Sequence, residues 1–289
     1  MNNFLTQSPL KYSQRLTLLL CSFLLCFIIA SLLNALVLSF TGAQSMAFIN
    51  ASIAIQNIIA FTLPVIITVI FITNRPLHFL QVNRLPSATH LLLMIVTYFV
   101  MTPAMNWIVE WNASMTLPQS MHAIETWMRQ SEEAATAVTD QILSHNNIWL
   151  SITLVGLLTG FGEEFLFRGA LQRILASRPM NIHLAIWISA FIFSAIHFQF
   201  FGFIPRLLLG AFFGYMAYWS GSLWTAIIAH AINNSTVVIA HAINTHCQFN
   251  LDQLGTSTDG SFPFLALASA LITAVLIYSF AKSRAPHNP

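Results

Sequence analysis

Eight apolar runs, each near the ~20 residues that carry a helix across a bilayer, decide what this chain folds into. They lie at about 16–40, 51–72, 88–109, 148–167, 182–203, 206–220, 222–243 and 262–281. The fold class they predict is all-α: a polytopic membrane helix bundle with about eight transmembrane helices, organised as a single integral-membrane domain over 1–289. The sixth run is short, and is predicted to be tilted or joined to the seventh by a turn at Ser220-Gly221-Ser222. The first is too long for the apolar part of a signal peptide and has no small-residue cleavage site after it, so it reads as a retained span.

Charge agrees with this. Only 7% of the 289 residues are charged, against ~25% in soluble domains, which is too few to solvate a globular surface of this size. The net charge of +2 carries no footprint for DNA or RNA, so no nucleic-acid partner is expected. Positive residues in short loops set orientation. Lys11 and Arg15 precede the first run, Arg75 and Arg84 follow the second, Arg168, Arg173 and Arg178 the fourth, and Lys282 and Arg284 the eighth. With eight spans all of these fall on the cytoplasmic side, together with both termini. Arg129 and Arg206 fall outside, Arg206 without an evident role. Cys21, Cys26 and Cys247 form neither a CxxC pair nor a zinc spacing.

The longest connection is 112–147, an expected extracytoplasmic loop. Met121, Ile124, Met128, Ala135, Val138 and Ile142 recur in it at helical spacing. It is expected to form one or two amphipathic helices on the outer face or over the bundle. His-Ala-Ile-Asn occurs at 230–233 and again at 241–244, about three helical turns apart. The second copy, with His241 and Asn244, has Thr245 where a polar partner would stand and is set aside. His78, His122, His145 and His246 read as loop or interface residues.

Few polar groups remain within the spans. Glu163 and Glu164 sit in Gly160-Phe161-Gly162-Glu163-Glu164-Phe165-Leu166-Phe167-Arg168. A carboxylate at mid-bilayer costs roughly 2.5–3.5 kcal/mol, so two in a row need compensation. Arg168 stands four residues beyond Glu164, on the same helix face, and can pair with it. Glu163 points about 100° away and has no such partner, which frees it for proton transfer. His197 ends the run Phe193-Ser194-Ala195-Ile196-His197, and His230 projects with Asn234 one turn on. Convergence around one wet cavity satisfies all of these groups. A carboxylate with a histidine activates water, and a second histidine with a carboxamide donates to an oxyanion. This is a hydrolytic set without a Ser or Cys nucleophile. Two His and one Glu also suit Zn²⁺, although HExxH is absent. One obstacle stands: with these boundaries Glu163 lies toward the inner side and His197 toward the outer.

At these residues the chain resembles the CPBP family (CAAX protease and bacteriocin-processing, or Abi, intramembrane proteases). EExxxR matches Glu163 to Arg168, FxxxH matches Phe193 to His197, and HxxxN matches His230 to Asn234, in that order over about 148–243. The resemblance implies an eight-helix, all-α membrane fold with its catalytic core at about 148–243, and peptide-bond hydrolysis by a glutamate-activated water. Glu163 would be the base, His197 would help bind the water, and His230 and Asn234 would form the oxyanion site. Glu164 and Arg168 would be structural partners. No cofactor is favoured; if Zn²⁺ is used, Glu163, His197 and His230 would hold it. The implied partners are a peptide or membrane-protein substrate and the lipid bilayer, and the implied location is a bacterial inner membrane. Two other readings use the same residues. One is a non-catalytic peptide-binding or bacteriocin-immunity protein. The other is a proton-coupled transporter, which would call for symmetric halves, whereas the polar residues all sit in the second half.

Overall fold

The computed structural model describes residues 10–43, 45–177, 180–247, 255–256 and 263–283, without the side chains of 245–247. The readings made above for Arg178, His246, Cys247 and Arg284 lie outside that description. Among the described residues, nine principal helices follow one another: α1 (Tyr12–Thr41), α2 (Met46–Ile72), α3 (Ala88–Ala113), α4 (His122–His145), α5 (Ile148–Leu175), α6 (Ile182–Ala195), α7 (Phe203–Ser220), α8 (Leu223–Cys247) and α9 (Phe264–Lys282). No strand occurs among the described residues. The protein is an all-α polytopic membrane bundle.

Polar caps mark where the apolar runs start. Ser45, Ser87, Asn147 and Asn181 each accept from a backbone N–H in the first turn of α2, α3, α5 and α6, satisfying a donor that the helix leaves free. Gly221, at φ +66°, makes the tight reversal between α7 and α8 that the sequence predicts. Ser269 of α9 wedges into α3 beside Pro103, donating to the Val100 carbonyl at 2.5 Å and accepting from the Ala104 N–H at 3.2 Å.

Seven helices are long and apolar enough to cross a membrane among the described residues. The fifth expected span, 182–203, differs. α6 has 14 residues, about 21 Å at 1.5 Å per residue, short of the ~30 Å hydrocarbon core. Span four differs in the other direction: α5 runs on to Leu175, so Arg168 and Arg173 lie inside it rather than in the following loop.

The bundle has two chemically distinct ends. At one, the 81–84 loop receives hydrogen bonds from Leu223 N–H, the Ser222 hydroxyl and Trp224 Nε1, and Arg173 donates to Gln81. His90 Nε2 lies 2.9 Å from the Ser283 carbonyl there. This basic end carries Lys11, Arg75, Arg84 and Lys282. At the other, acidic end, α4 forms as one amphipathic helix and packs over α2, α8 and the 200–202 turn. Leu20, Phe27, Ile70, Leu92 and Leu271 face outward, more than half exposed, while Asn57, Glu163, Glu164, Arg168 and His230 are buried. Apolar outside and charged inside is the arrangement that lipid selects.

α5 threads the centre because two glycines admit its neighbours. A Cβ on Gly160 would stand 3.0 Å from Ala231 N of α8, and one on Gly162 would stand 2.9 Å from Asn57 Oδ1 and 3.0 Å from the Asn57 carbonyl of α2. Backbone cannot yield as a side-chain tip can. Gly162→Ala is therefore expected to destabilise the protein by about 1–3 kcal/mol, measured as a lower unfolding midpoint in detergent.

Candidate active site

The glutamate pair lies between two wide helical turns. Ile152–Leu158 and Phe165–Leu171 of α5 have i→i+5 spacing, as does the facing Gln56–Thr62 of α2. Such turns are frequent at functional sites. Thr159 and Thr62 donate their hydroxyls to the Leu154 and Asn57 carbonyls, each five residues back.

Glu163 and Glu164 are 5% and 0% exposed, so neither faces water at a span end. Glu164 Oε1 accepts from Arg168 Nη1 at 2.5 Å, which is the pairing that the sequence predicts. The same oxygen lies 2.8 Å from His230 Nδ1. Spacing along the chain does not reveal this second contact, since it joins residues 66 apart. Arg168 also donates to the Gly210 carbonyl at 2.7 Å, and its guanidinium lies 4.6 Å from the centroid of the Phe193 ring and 5.6 Å from that of Phe213. Phe193 thus has a part beyond marking a motif. Its ring is edge-on to both His197 and His230, and His230 stacks on Phe213 at 4.9 Å.

The short α6 removes the obstacle of depth. It ends at Ala195, so His197 enters the bundle part-way across rather than at a far surface, while the longer α5 puts Glu163 near its own middle. His197 Nδ1 lies 2.7 Å from the Phe193 carbonyl. A carbonyl only accepts, so the proton is assigned to Nδ1. The Glu164 carboxylate assigns His230 the same tautomer. Both Nε2 atoms are turned toward Glu163: His197 Nε2 is 3.9 Å from Oε1 and His230 Nε2 is 3.8 Å from Oε2. Both distances exceed a hydrogen bond. His197 is the most open of the three, its side chain 27% exposed.

Asn234 stands apart from this group. Its Nδ2 donates to the Val155 carbonyl of α5 at 3.0 Å, and its Oδ1 accepts from Asn233, whose own Oδ1 accepts from the Tyr98 hydroxyl at 3.4 Å. The structure brings Glu163, Glu164, Arg168, His197 and His230 together and ties Asn234 to α5 one turn away on α8. Sequence reasoning missed Asn57, 2% exposed, which donates to Thr159 Oγ1 at 3.1 Å. A carboxamide inside the 51–72 run was the available signal. Arg206 gains a place: it donates to the carbonyl and side chain of Gln199, in the turn after His197.

The donor set bears on a metal. Two His and one Glu are of the right type for Zn²⁺, but Glu163 sends one oxygen to each histidine instead of presenting all three groups to a common point. No group of three His, Cys, Asp or Glu side chains has metal-holding geometry among the described residues. This arrangement does not fit a bound ion without movement of the carboxylate.

The fold and site define a class: polytopic membrane bundles with a buried glutamate pair flanked by two histidines. Residues 145–236 match the family model for Rce1-like proteins, described as type II CAAX prenyl endopeptidase Rce1-like. That stretch holds all three motifs, so the CPBP resemblance read from them holds over it. Protein YpbD of Bacillus subtilis (strain 168), described as uncharacterised, is 34% identical over 85 residues, which cover 28% of this chain and 40% of the relative. The chain thus spans less than half the length of that relative. No solved structure matches.

Proposed function

We propose that this protein is an intramembrane endopeptidase in which Glu163 activates the attacking water. The observation that carries this reading is the buried Glu163 carboxylate set between His197 Nε2 and His230 Nε2 at 3.9 and 3.8 Å. One water can bridge gaps of that size. Such a water donates one hydrogen to Glu163 and is oriented by His197. Its oxygen attacks the scissile carbonyl carbon as Glu163 takes the proton. The C=O bond opens to a tetrahedral oxyanion. That proton then passes to the leaving nitrogen as the C–N bond breaks, giving a carboxylate and an amine.

Stabilising the oxyanion requires a donor. His230 supplies it from Nε2 when that nitrogen carries a proton, and Glu164 at Nδ1 orients the ring as a carboxylate does behind a catalytic histidine. The Glu164–Arg168 pair then orients the histidine instead of serving packing alone. Asn234, with one amide hydrogen on Val155 and a second to offer, becomes an additional donor if its carboxamide turns from α5 toward the site. No step requires a metal.

The family description points to peptides ending in a prenylated CAAX sequence, and the substrate class is tested on that basis. Purified protein is incubated with a prenylated CAAX peptide, its unprenylated form and unrelated hydrophobic peptides. Cleavage of any of them that is absent from Glu163→Gln supports the reading; binding without turnover by the wild type contradicts it and favours the non-catalytic alternative.

A further inference from the structure

Helix α4 lies almost wholly outside the matched residues 145–236, yet it grips the backbone that carries His197. Glu132 Oε2 accepts from the Phe201 N–H at 3.0 Å. Ser131 donates its hydroxyl to the Phe198 carbonyl at 3.3 Å. The Arg129 guanidinium lies 4.1 Å from the centroid of the Phe201 ring, and Trp127 meets Phe200 at 5.6 Å. From α3, Asn112 accepts from the Ile204 N–H at 2.8 Å and donates to the Phe200 carbonyl at 3.4 Å.

The gripped turn is strained. Phe198, the residue after His197, has φ +53°, a region that bulky L-residues rarely occupy. Such a conformation persists only where the surroundings fix it. Of the contacts that fix it, the Glu132 bond is the shortest made by α4, and it holds Phe201, which is buried. Glu132 Oε1 and Arg206 Nη2 also converge on Gly202, at 3.4 and 3.3 Å from where a Cβ would stand. The turn is therefore clasped between α4 and α7.

We propose that Glu132 is a positioning residue: by accepting from the Phe201 N–H it keeps the 197–202 turn in its strained form and so aims His197 Nε2 at Glu163. The kinetic half of this inference rests on the protease reading; the conformational half does not. Glutamine keeps an acceptor oxygen at this position and alanine does not. In purified full-length protein, Glu132→Ala is expected to lower kcat about 10-fold or more with KM little changed, since small misplacements of a catalytic group cost up to about 100-fold. Glu132→Gln is expected to restore most of that rate.

Backbone hydrogen exchange of the 196–204 segment supplies a readout independent of activity. It is expected to quicken in Glu132→Ala and to stay near wild type in Glu132→Gln. If the wild type cleaves nothing, the protease reading falls while the exchange contrast still decides the role of Glu132. Exchange in Glu132→Ala equal to wild type overturns the proposal, and so does Glu132→Gln as impaired as Glu132→Ala.

Discussion

Replacing Glu163 by glutamine is expected to abolish peptide cleavage while the protein stays folded. General base catalysis contributes about 10²–10⁴-fold, and glutamine removes the proton acceptor while keeping size and hydrogen-bonding capacity. The fold should tolerate the change well, because neither histidine is within hydrogen-bond distance of Glu163, their Nε2 atoms lying 3.9 and 3.8 Å away. A cleavage rate within a few-fold of wild type would remove Glu163 from the mechanism. An unfolded variant would instead show that the carboxylate serves structure first.

The second large effect falls on stability. Arg168 is 1% exposed and neutralises a carboxylate that is 0% exposed. Arg168→Met leaves Glu164 without its cation in a dry interior, with His230 as its remaining hydrogen-bond contact among the described residues. Removing one partner of a buried ion pair costs about 3–5 kcal/mol, so unfolding in detergent should occur at markedly lower temperature or denaturant. The double variant Glu164→Gln/Arg168→Met removes both members of the pair, so neither is left buried without its partner, and it is expected to be more stable than Arg168→Met alone. It should nonetheless be a poor catalyst, because His230 loses the carboxylate at Nδ1. A single variant as stable as wild type would show that the pair contributes little to the fold.

Local geometry explains which parts of this site were legible in the sequence. Glu164 and Arg168 meet because four residues is one helical turn, and no tertiary knowledge is needed to see it. Glu164 and His230 meet across 66 residues, and only the docking of α8 on α5, admitted by Gly160, creates that contact. The true end of α6 was hidden for a different reason. Phe198, Phe200, Phe201 and Phe203 keep hydropathy high through what is a turn, so the apolar run extends past the helix that it contains. Charge ordinarily ends a span, so hydropathy alone puts Arg168 in a loop; in the structure Glu164, the Gly210 carbonyl and aromatic rings replace water around it.

The amphipathic period of 112–147 announced a helix, and α4 is that helix. Its grip on the His197 turn was not visible, because a backbone N–H such as that of Phe201 leaves no mark in a sequence. Asn57 was overlooked because one carboxamide barely lowers the hydropathy of an apolar run, even though every such residue in a membrane needs a partner.

In the proposed mechanism Glu163, and not a bound metal, generates the nucleophile. This is tested most directly by following cleavage of one peptide by purified protein stripped of metal with a strong chelator, with Glu or Gln at position 163. The expected result is that chelation leaves wild-type cleavage unchanged and that Glu163→Gln is inactive in either condition. Cleavage that chelation removes and added Zn²⁺ restores, or a Glu163→Gln protein that still cleaves, would contradict it.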